Sequence, residues 1–373
     1  MSRSSDGGGP IVWAGILLAT CLLLLLFRHV LWLVLPFLCG LVLYYMLHAP
    51  VQRLVFAGVS KSTAANYVAG VVGLLVLLWM ALALPWVLAR AGQWQEAVQH
   101  YVQGGVRLLL ATVSMLEQTS ALLRNAHLSQ TLGHKISDFS ETFTTTYVGD
   151  FALTALTWIP SMLLAPLLAY FLLRDGGRFQ RFLARAVPNA YFERTLNLLY
   201  SVDQTMRAYF QGLLKLAMLD SITLGLGLWA LGVSAPLTLG IVCAILSWVP
   251  FIGSIMGGLL VVMVAATDFP DQPWMSYGAV LLFIGVRLLD DFVYMPITVG
   301  RSLRIHPLIT VIMIFAGGAI AGVPGLMLVL PLLGVVMVIG ETIGQVVTDP
   351  RLRARHAYAR MLRERQAQLD LDR

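Results

Sequence analysis

Long apolar runs with almost no charge recur along this chain and constrain its fold more than any other feature. Hydrophobic residues make up 58% of the 373 positions and charged residues 12%, against roughly 45–50% and 25% in soluble domains. Runs of about 20 apolar residues are typical of helices that cross a membrane, because that length covers the hydrocarbon core. We therefore predict an all-α polytopic membrane protein.

Six of the runs have the length and hydropathy of ordinary membrane spans. They are 11–27, 30–48, 64–88, 147–173, 205–232 and 275–299. Segment 89–146 breaks the pattern because its charges balance and its apolar residues follow helical spacing, so it is predicted to be a small helical extramembrane module. Short loops rich in Lys and Arg favour the cytoplasm, which places both chain termini inside and the module outside.

Two further runs are interrupted near the middle. Run 236–267 contains Trp248-Val-Pro250-Phe-Ile-Gly253, and run 307–345 contains Gly322-Val-Pro324-Gly325. Each half of the first run has about 14 residues and covers about 21 Å, less than the hydrocarbon core of roughly 30 Å. Since each run must also begin and end on one side, we predict two re-entrant helical hairpins that enter from opposite faces. The alternative is a simple kink in an ordinary span.

Each interrupted run forms a similar unit with the span before it. Asp220 lies 16 residues before Pro236, and Asp291 lies 16 residues before Pro307. Inverted repeats with broken helices recur in secondary transporters, although matched spacings also arise by chance in a chain rich in Pro and Gly. The predicted organisation has scaffold spans at 1–88, the outer module at 89–146, a fourth span and basic cytoplasmic loop at 147–204, a transport core of two repeats at 205–345, and a basic cytoplasmic tail at 346–373.

Acidic residues within predicted spans are the candidates for ion coupling. Asp220, Asp290 and Asp291 lie about 22 Å along their spans, a depth at which ionisable groups are costly and mark ion or substrate paths. Arg287 precedes Asp291 by four residues, so these two can pair on one helix face, whereas Asp290 has no evident local partner. Lys215 similarly precedes Asp220. The alternative is a structural ion pair that only fixes helix packing.

The breaks in the two interrupted runs are the candidates for solute binding. A broken helix leaves N–H and C=O groups without internal partners, and inside a membrane these groups need protein, water or ligand. We expect the two hairpin tips to meet around a solute near the bilayer midplane. The tip residues are Pro250, Phe251, Gly253, Gly322, Pro324 and Gly325.

A series of motifs follows in fixed order between about 170 and 335. It comprises Tyr170-Phe-Leu-Leu-Arg-Asp175-Gly176, Tyr209-Phe-Gln-Gly212, Leu231-Gly232-Val233 with Gly240, the interruption at Trp248–Gly253, Pro296-Ile-Thr-Val-Gly300 continuing to His306-Pro307, and Gly317-Gly318 through the interruption at Gly322–Gly325 to Pro331. This series resembles the autoinducer-2 exporter family of bacterial membrane permeases. The resemblance implies transport across the bacterial inner membrane, about eight hydrophobic segments and homo-oligomerisation. Members are linked to export of the signal autoinducer-2 and to exchange of Na⁺ or Li⁺ for H⁺, so the substrate stays open.

The leading hypothesis is a secondary active transporter that exports a small polar solute, such as an autoinducer-2-like signal, with H⁺ or Na⁺ as coupling ion. The alternatives are a Na⁺(Li⁺)/H⁺ antiporter and, from a different class, a membrane scaffold or assembly partner without flux. The sequence has no HExxH, GxSxG or Gly-rich phosphate loop. No enzyme activity, cofactor or resident metal is therefore predicted, and the expected partners are lipid, solute and further copies of the chain, not nucleic acid.

Overall fold

The computed structural model describes residues 10–27, 33–89, 91–119, 163–185, 192–299 and 306–348. Within these ranges every regular element is helical, which confirms the all-α prediction for this part of the chain. The first six helices are α1 (Pro10–Phe27), α2 (Val34–Phe56), α3 (Lys61–Ala89), α4 (Ala91–Thr119), α5 (Leu164–Arg185) and α6 (Phe192–Ala230). They are followed by α7 (Pro236–Leu246), α8 (Ile252–Asp268), α9 (Pro273–Leu289), a π-helical turn (Asp290–Tyr294), α10 (Met295–Thr298) and α11 (Pro307–Thr348).

Several of these helices carry the length and composition of membrane spans. Among the described residues four segments qualify, namely Pro36–Phe56, Lys61–Leu78, Phe192–Ala230 and Leu308–Thr342. Large apolar side chains on them are exposed, as Leu74 and Leu226 illustrate. Such surfaces are unfavourable in water and suit contact with lipid. The predicted number of six spans stays a prediction, and the first part of span 147–173 lies outside the described residues.

The first interrupted run folds back on itself as α7 and α8. Gly253 packs against the carbonyl of Leu246 at the turn, and further out the Cys243 thiol donates to the Gly257 carbonyl, with Sγ 3.6 Å from the oxygen. With distance from the turn, the contacting residue of α7 lies earlier in the sequence (Leu246, then Cys243) and that of α8 lies later (Gly253, then Gly257). The two helices are therefore antiparallel. Helix α7 has 11 residues and α8 has 17, so they cover about 16 Å and 26 Å. The two limbs are therefore unequal in length, whereas the sequence predicted similar halves.

The tip of this hairpin is a tight turn at residues 247–251. Phe251 adopts φ 63° and ψ −54°, and the Ile252 N–H donates to the Pro250 carbonyl at 2.7 Å. This is a γ-turn with positive φ, which is rare and strained for a side-chain-bearing residue. A Cβ at Gly253 would collide with the Leu246 carbonyl, so the turn needs glycine at that position.

The second interrupted run also reverses. Gly322 within α11 has φ 61° and ψ −143°, a backbone conformation essentially limited to glycine. A Cβ at Gly317 would lie 2.8 Å from the Gly325 carbonyl oxygen. Residues eight apart in a continuous helix would be separated by about 12 Å, so this contact requires the chain to fold back. Entry and exit of either hairpin through one membrane face stays a prediction.

The described helices form two compact units. The first contains α1, the end of α5 from Arg178, the start of α6 up to Arg207, and α11; its core includes Leu24, Met313 and Leu333. The second contains α2–α4, the first part of α5, α6 from Ala208, and α7–α10. The five-segment organisation drawn from the sequence stays a prediction.

Helix α4 covers the first part of the predicted outer module. It packs against α8, where Gly104 contacts Thr267 and Gly105 contacts Met263. Its Thr112 hydroxyl also hydrogen-bonds the hydroxyl of Tyr277 on α9 at 2.8 Å. The module is thus helical over Ala91–Thr119 and holds the first hairpin; residues 120–146 lie outside the described part of the chain, and the outer location stays a prediction.

Candidate functional site

A small cavity lies among α6, α7, α9 and the π-helical turn, within the second compact unit. Its volume is about 20 Å³, enough for about one water molecule. The lining residues are Asp220 and Leu224 of α6, Cys243, Ala244 and Ser247 at the end of α7, Phe283, Val286 and Arg287 of α9, and Asp290 of the π-helical turn. The walls are therefore mostly apolar, with two carboxylates and one guanidinium.

Glycines allow the surrounding helices to approach closely. A Cβ at Gly240 on α7 would lie 2.5 Å from the carbonyl oxygen of Ser221 on α6. On α8, a Cβ at Gly258 would lie 3.0 Å from the Phe283 ring of α9. Small residues at helix contacts are a common device in membrane proteins because they bring backbones together. The first hairpin is consequently held between α6 and α9.

A hydrogen bond and a backbone contact join α6 to the segment after α9. The hydroxyl groups of Thr223 and Tyr294 lie 2.8 Å apart. A Cβ at Gly212 would lie 2.7 Å from the Thr298 carbonyl oxygen. These contacts place the Asp220 side of α6 next to the π-helical turn, which brings two acids distant in sequence to one cavity.

Arg287 pairs with both neighbouring acids, and this corrects the sequence-based prediction. Its Nη1 donates to Oδ2 of Asp290 at 2.7 Å, while Nη2 lies 3.5 Å from Oδ1 of Asp291. We expected Asp291 to be the partner and Asp290 to have none nearby. The expectation was wrong for Asp290 because residues three apart also share a helix face. Asp290 is 4% exposed, whereas the side chain of Asp291 is 50% exposed.

Asp220 is the second buried acid of the cavity. It is 7% exposed, and within the described part of the chain its Oδ1 has no hydrogen-bond partner, as is also true of Oδ1 of Asp290. A buried carboxylate oxygen without a partner is costly. A proton, a water molecule or a small cation placed in the cavity would satisfy both oxygens, so the arrangement suits the binding of a small positive ion.

The other predicted coupling residue lies elsewhere on α6. Lys215 is exposed and is not among the residues that line the cavity. Its side chain therefore does not replace Arg287 as a counter-charge within this cavity. A part for Lys215 in ion coupling stays a prediction.

The predicted tip residues are not part of the cavity lining. Pro250, Phe251 and Gly253 form the turn just beyond Ser247. Gly322 marks the reversal of α11 in the other compact unit, with Pro324 and Gly325 directly after it. Solute binding at these tips, and their meeting at the midplane, stay predictions.

Residues of α7 that line the cavity were missed by the sequence reasoning. Cys243, Ala244 and Ser247 recur at helical spacing from Gly240, and the Ser247 hydroxyl donates to the Cys243 carbonyl at 2.9 Å. A face of small residues on a short helix was the available signal. It predicts a close helix contact but does not reveal which acid the face will meet.

Comparison with known proteins gives one family. A family model described as AI-2E family transporter matches residues 15–344. Similar curated proteins carry provisional names as transport proteins. One is YueF of Bacillus subtilis strain 168, which is 29% identical over 171 residues, an alignment that covers 46% of each chain. Another is YrrI of the same strain, which is 25% identical over 177 residues and covers 46% of this chain and 48% of the relative. MT0215 of Mycobacterium tuberculosis is 29% identical over 163 residues, 43% of each chain. The matches span about half the length of these relatives.

Proposed function

Because the chain belongs to the AI-2E transporter family, we propose that it is a secondary active transporter whose Asp220–Asp290 cavity binds the coupling ion, H⁺ or Na⁺. The family resemblance predicted from the motifs is confirmed, and the match extends to residue 15. The protein is a multi-pass membrane protein of a transporter family. The observation that carries the proposal is the pair of buried carboxylates whose Oδ1 atoms both lack a partner in the described part of the chain.

The surroundings of the pair favour an ion path over a purely structural role. A structural ion pair would match each acid with a base, but Arg287 contacts Asp290 and Asp291 and leaves Asp220 to the cavity. An acidic side chain inside an apolar membrane helix costs free energy, and such side chains mark the paths of ions or protons. Asp220 is the residue we assign to ion binding, with Asp290 as its neighbour and Arg287 as the fixed counter-charge.

The solute is proposed to be small and polar, such as an autoinducer-2-like signal, and to be exported across the bacterial inner membrane. The short limbs of the α7–α8 hairpin, about 16 Å and 26 Å, support its re-entrance because neither covers roughly 30 Å of hydrocarbon. Solute would bind at the tips at Pro250–Gly253 and Gly322–Gly325, with both chain termini in the cytoplasm. The active form would be a homo-oligomer.

The size of the cavity favours a second candidate, a Na⁺(Li⁺)/H⁺ antiporter. A volume of about 20 Å³ accepts one water-sized species and is far below the roughly 300 Å³ or more of sites that enclose an organic ligand. If this cavity is the only transported-species site, the transported species are monovalent ions. The solute transporter instead requires a separate organic site at the tips.

Flux measurements on the purified full-length chain in liposomes test these proposals. A pH gradient should drive uptake or release of autoinducer-2, used as the probe, and Asp220→Asn should abolish this flux because the coupling carboxylate is lost. Asp271→Asn is the matched control, since Asp271 is an exposed acid of the loop before α9. Equal gradient-driven flux in wild type and Asp220→Asn would contradict the proposed role.

The same vesicles distinguish the alternatives. An antiporter changes internal pH after a Na⁺ pulse alone, read with a trapped pH-sensitive dye. A solute transporter is silent until autoinducer-2 is added. A scaffold protein shows no flux of either kind under any gradient.

A further inference from the structure

The oxygen atoms around the Asp220–Asp290 cavity identify which ion it binds. We propose that the ion is a single proton, carried by the carboxyl group of Asp220 and hydrogen-bonded to the Asp290 carboxylate, and that Na⁺ does not bind there. This inference rests on the leading proposed function, because it names the coupling ion of that same cavity, and it excludes the antiporter alternative in which Na⁺ binds there.

The cavity offers too few oxygens for a metal cation. Of its lining side chains only Asp220, Asp290 and Ser247 carry oxygen, and Oδ2 of Asp290 already accepts from Arg287. The remaining side-chain oxygens are about four, fewer than the roughly six to eight around a hard cation such as Ca²⁺. Hard cations need a shell of several oxygens, and Na⁺ sites in transporters obtain them from the free carbonyls of unwound helix ends. A proton needs one donor oxygen and one acceptor, which the two Oδ1 atoms supply directly or through the one water that the volume allows.

Two backbone carbonyls at the end of α7, those of Cys243 and Leu246, are already engaged in hydrogen bonds. The Cys243 carbonyl accepts both the Ser247 N–H and the Ser247 hydroxyl, each at 2.9 Å. The Leu246 carbonyl accepts the Val249 N–H at 3.0 Å. A carbonyl oxygen has two lone pairs, so that of Cys243 is fully used. Neither of these two carbonyls is therefore directed to the cavity as an ion ligand.

The guanidinium decides which acid carries the proton. Arg287 lies 2.7 Å from Asp290, and an adjacent positive charge favours the ionised form of a carboxyl group. Asp220 has no ion pair within the described part of the chain, so no adjacent positive charge holds its ionised form. Among the residues that line the cavity, two ionised acids and Arg287 sum to one net negative charge; the half-exposed Asp291 is not part of that lining. One proton on Asp220 brings that sum to zero.

The remaining ionisable groups near the pair are few. On the π-helical turn, Asp291 lies on the other branch of Arg287, and the Tyr294 hydroxyl is bonded to Thr223. Cys243 of α7 directs its thiol to the Gly257 carbonyl. The part of α8 between Ile252 and Thr267 carries no ionisable side chain, and Lys215 on α6 itself is exposed. Proton binding forms one O–H bond on Asp220, and release breaks the same bond.

Infrared spectroscopy of the purified full-length protein in lipid nanodiscs tests this proton directly. A pH titration in choline chloride should show the C=O stretch of a buried protonated carboxyl, which disappears at alkaline pH. Asp220→Asn should remove the band, and Asp271→Asn should retain it because that acid is exposed. Replacing choline with NaCl should leave the band and its titration unchanged, and ²²Na⁺ should show no binding that Asp220→Asn abolishes.

Two results would overturn the inference. One is loss of the carboxyl band on adding NaCl to the wild-type protein, together with ²²Na⁺ binding that competes with H⁺. The other is a wild-type protein without the band at any pH. The Na⁺ titration uses the unaltered chain, so poor folding of a variant does not affect it. If flux requires Na⁺, the proposed proton on Asp220 is refuted, while the proposed transporter function is retained. If the carboxyl band is insensitive to Na⁺ and no flux is observed, only the transporter function is refuted.

Discussion

Backbone strain at Gly322 allows a direct test of the reversal in α11. Gly322 has φ 61°, and a Cβ added there would have no heavy atom within 4 Å. Gly322→Ala therefore introduces no clash, and its effect comes from the backbone alone. Holding a non-glycine residue in such a conformation costs about 1–3 kcal/mol.

The matched control is Gly285→Ala on α9. Gly285 also has open space around its Cβ position, but no positive φ. Within a helix Ala is more favourable than Gly by about 0.5–1 kcal/mol. The two variants add the same methyl group to open space, so their free energies of unfolding should differ by about 1.5–4 kcal/mol.

Thermal unfolding in detergent, followed by intrinsic tryptophan fluorescence, measures this difference. A change of 1 kcal/mol corresponds to about 2–4 °C in Tm for 150–250 residues and to less in a longer chain. Gly322→Ala should melt several degrees below Gly285→Ala, while both elute as the wild-type species in size-exclusion chromatography. Equal melting temperatures would mean that α11 runs through position 322 as an unbroken helix, and the second hairpin would be wrong.

Two further predictions concern the packing around the cavity. Gly240→Ala should destabilise the protein by about 1–3 kcal/mol, since its Cβ would lie 2.5 Å from an α6 carbonyl oxygen. The control Gly70→Ala adds a Cβ in open space on α3 and should be neutral or stabilising. An equal loss of unfolding free energy in the two variants would contradict the close helix contact. Arg287→Leu should lower the free energy of unfolding by about 3–5 kcal/mol, because it leaves the Asp290 charge buried without its partner. Adding Asp290→Asn should recover part of that stability in a double-mutant cycle. Additive losses from the two substitutions would argue against the ion pair.

A proton on Asp220 would link ion binding to the packing of the first hairpin. Asp220 lies on α6 while Cys243 and Ala244 belong to α7, so neutralising the acid lowers the cost of enclosing the cavity between the two helices. With the acid ionised, water entry between α6 and α7 becomes more favourable. The occupied and empty transporter would thereby differ in the seating of the hairpin, which is the element proposed to carry the solute tip.

The sequence alone determined the features that depend on local composition. Apolar runs with few charges predict membrane helices without reference to tertiary contacts. The reversals at Pro250–Gly253 and Gly322 follow from residues that break helices or require positive φ. The motifs between 170 and 335 are local as well, and they were sufficient to identify the family.

Only the tertiary structure decided which side chains share the cavity. Asp220, Cys243 and Arg287 come from three helices, and glycine contacts such as that of Gly240 with α6 set their register. Helical periodicity places a residue on a face but does not say which face of another helix it meets. The same spacing allowed Arg287 to reach either neighbouring acid, and in the folded chain the buried Asp290 is the closer partner. Local propensity therefore accounts for the helices and their breaks, whereas close packing between distant segments creates the site.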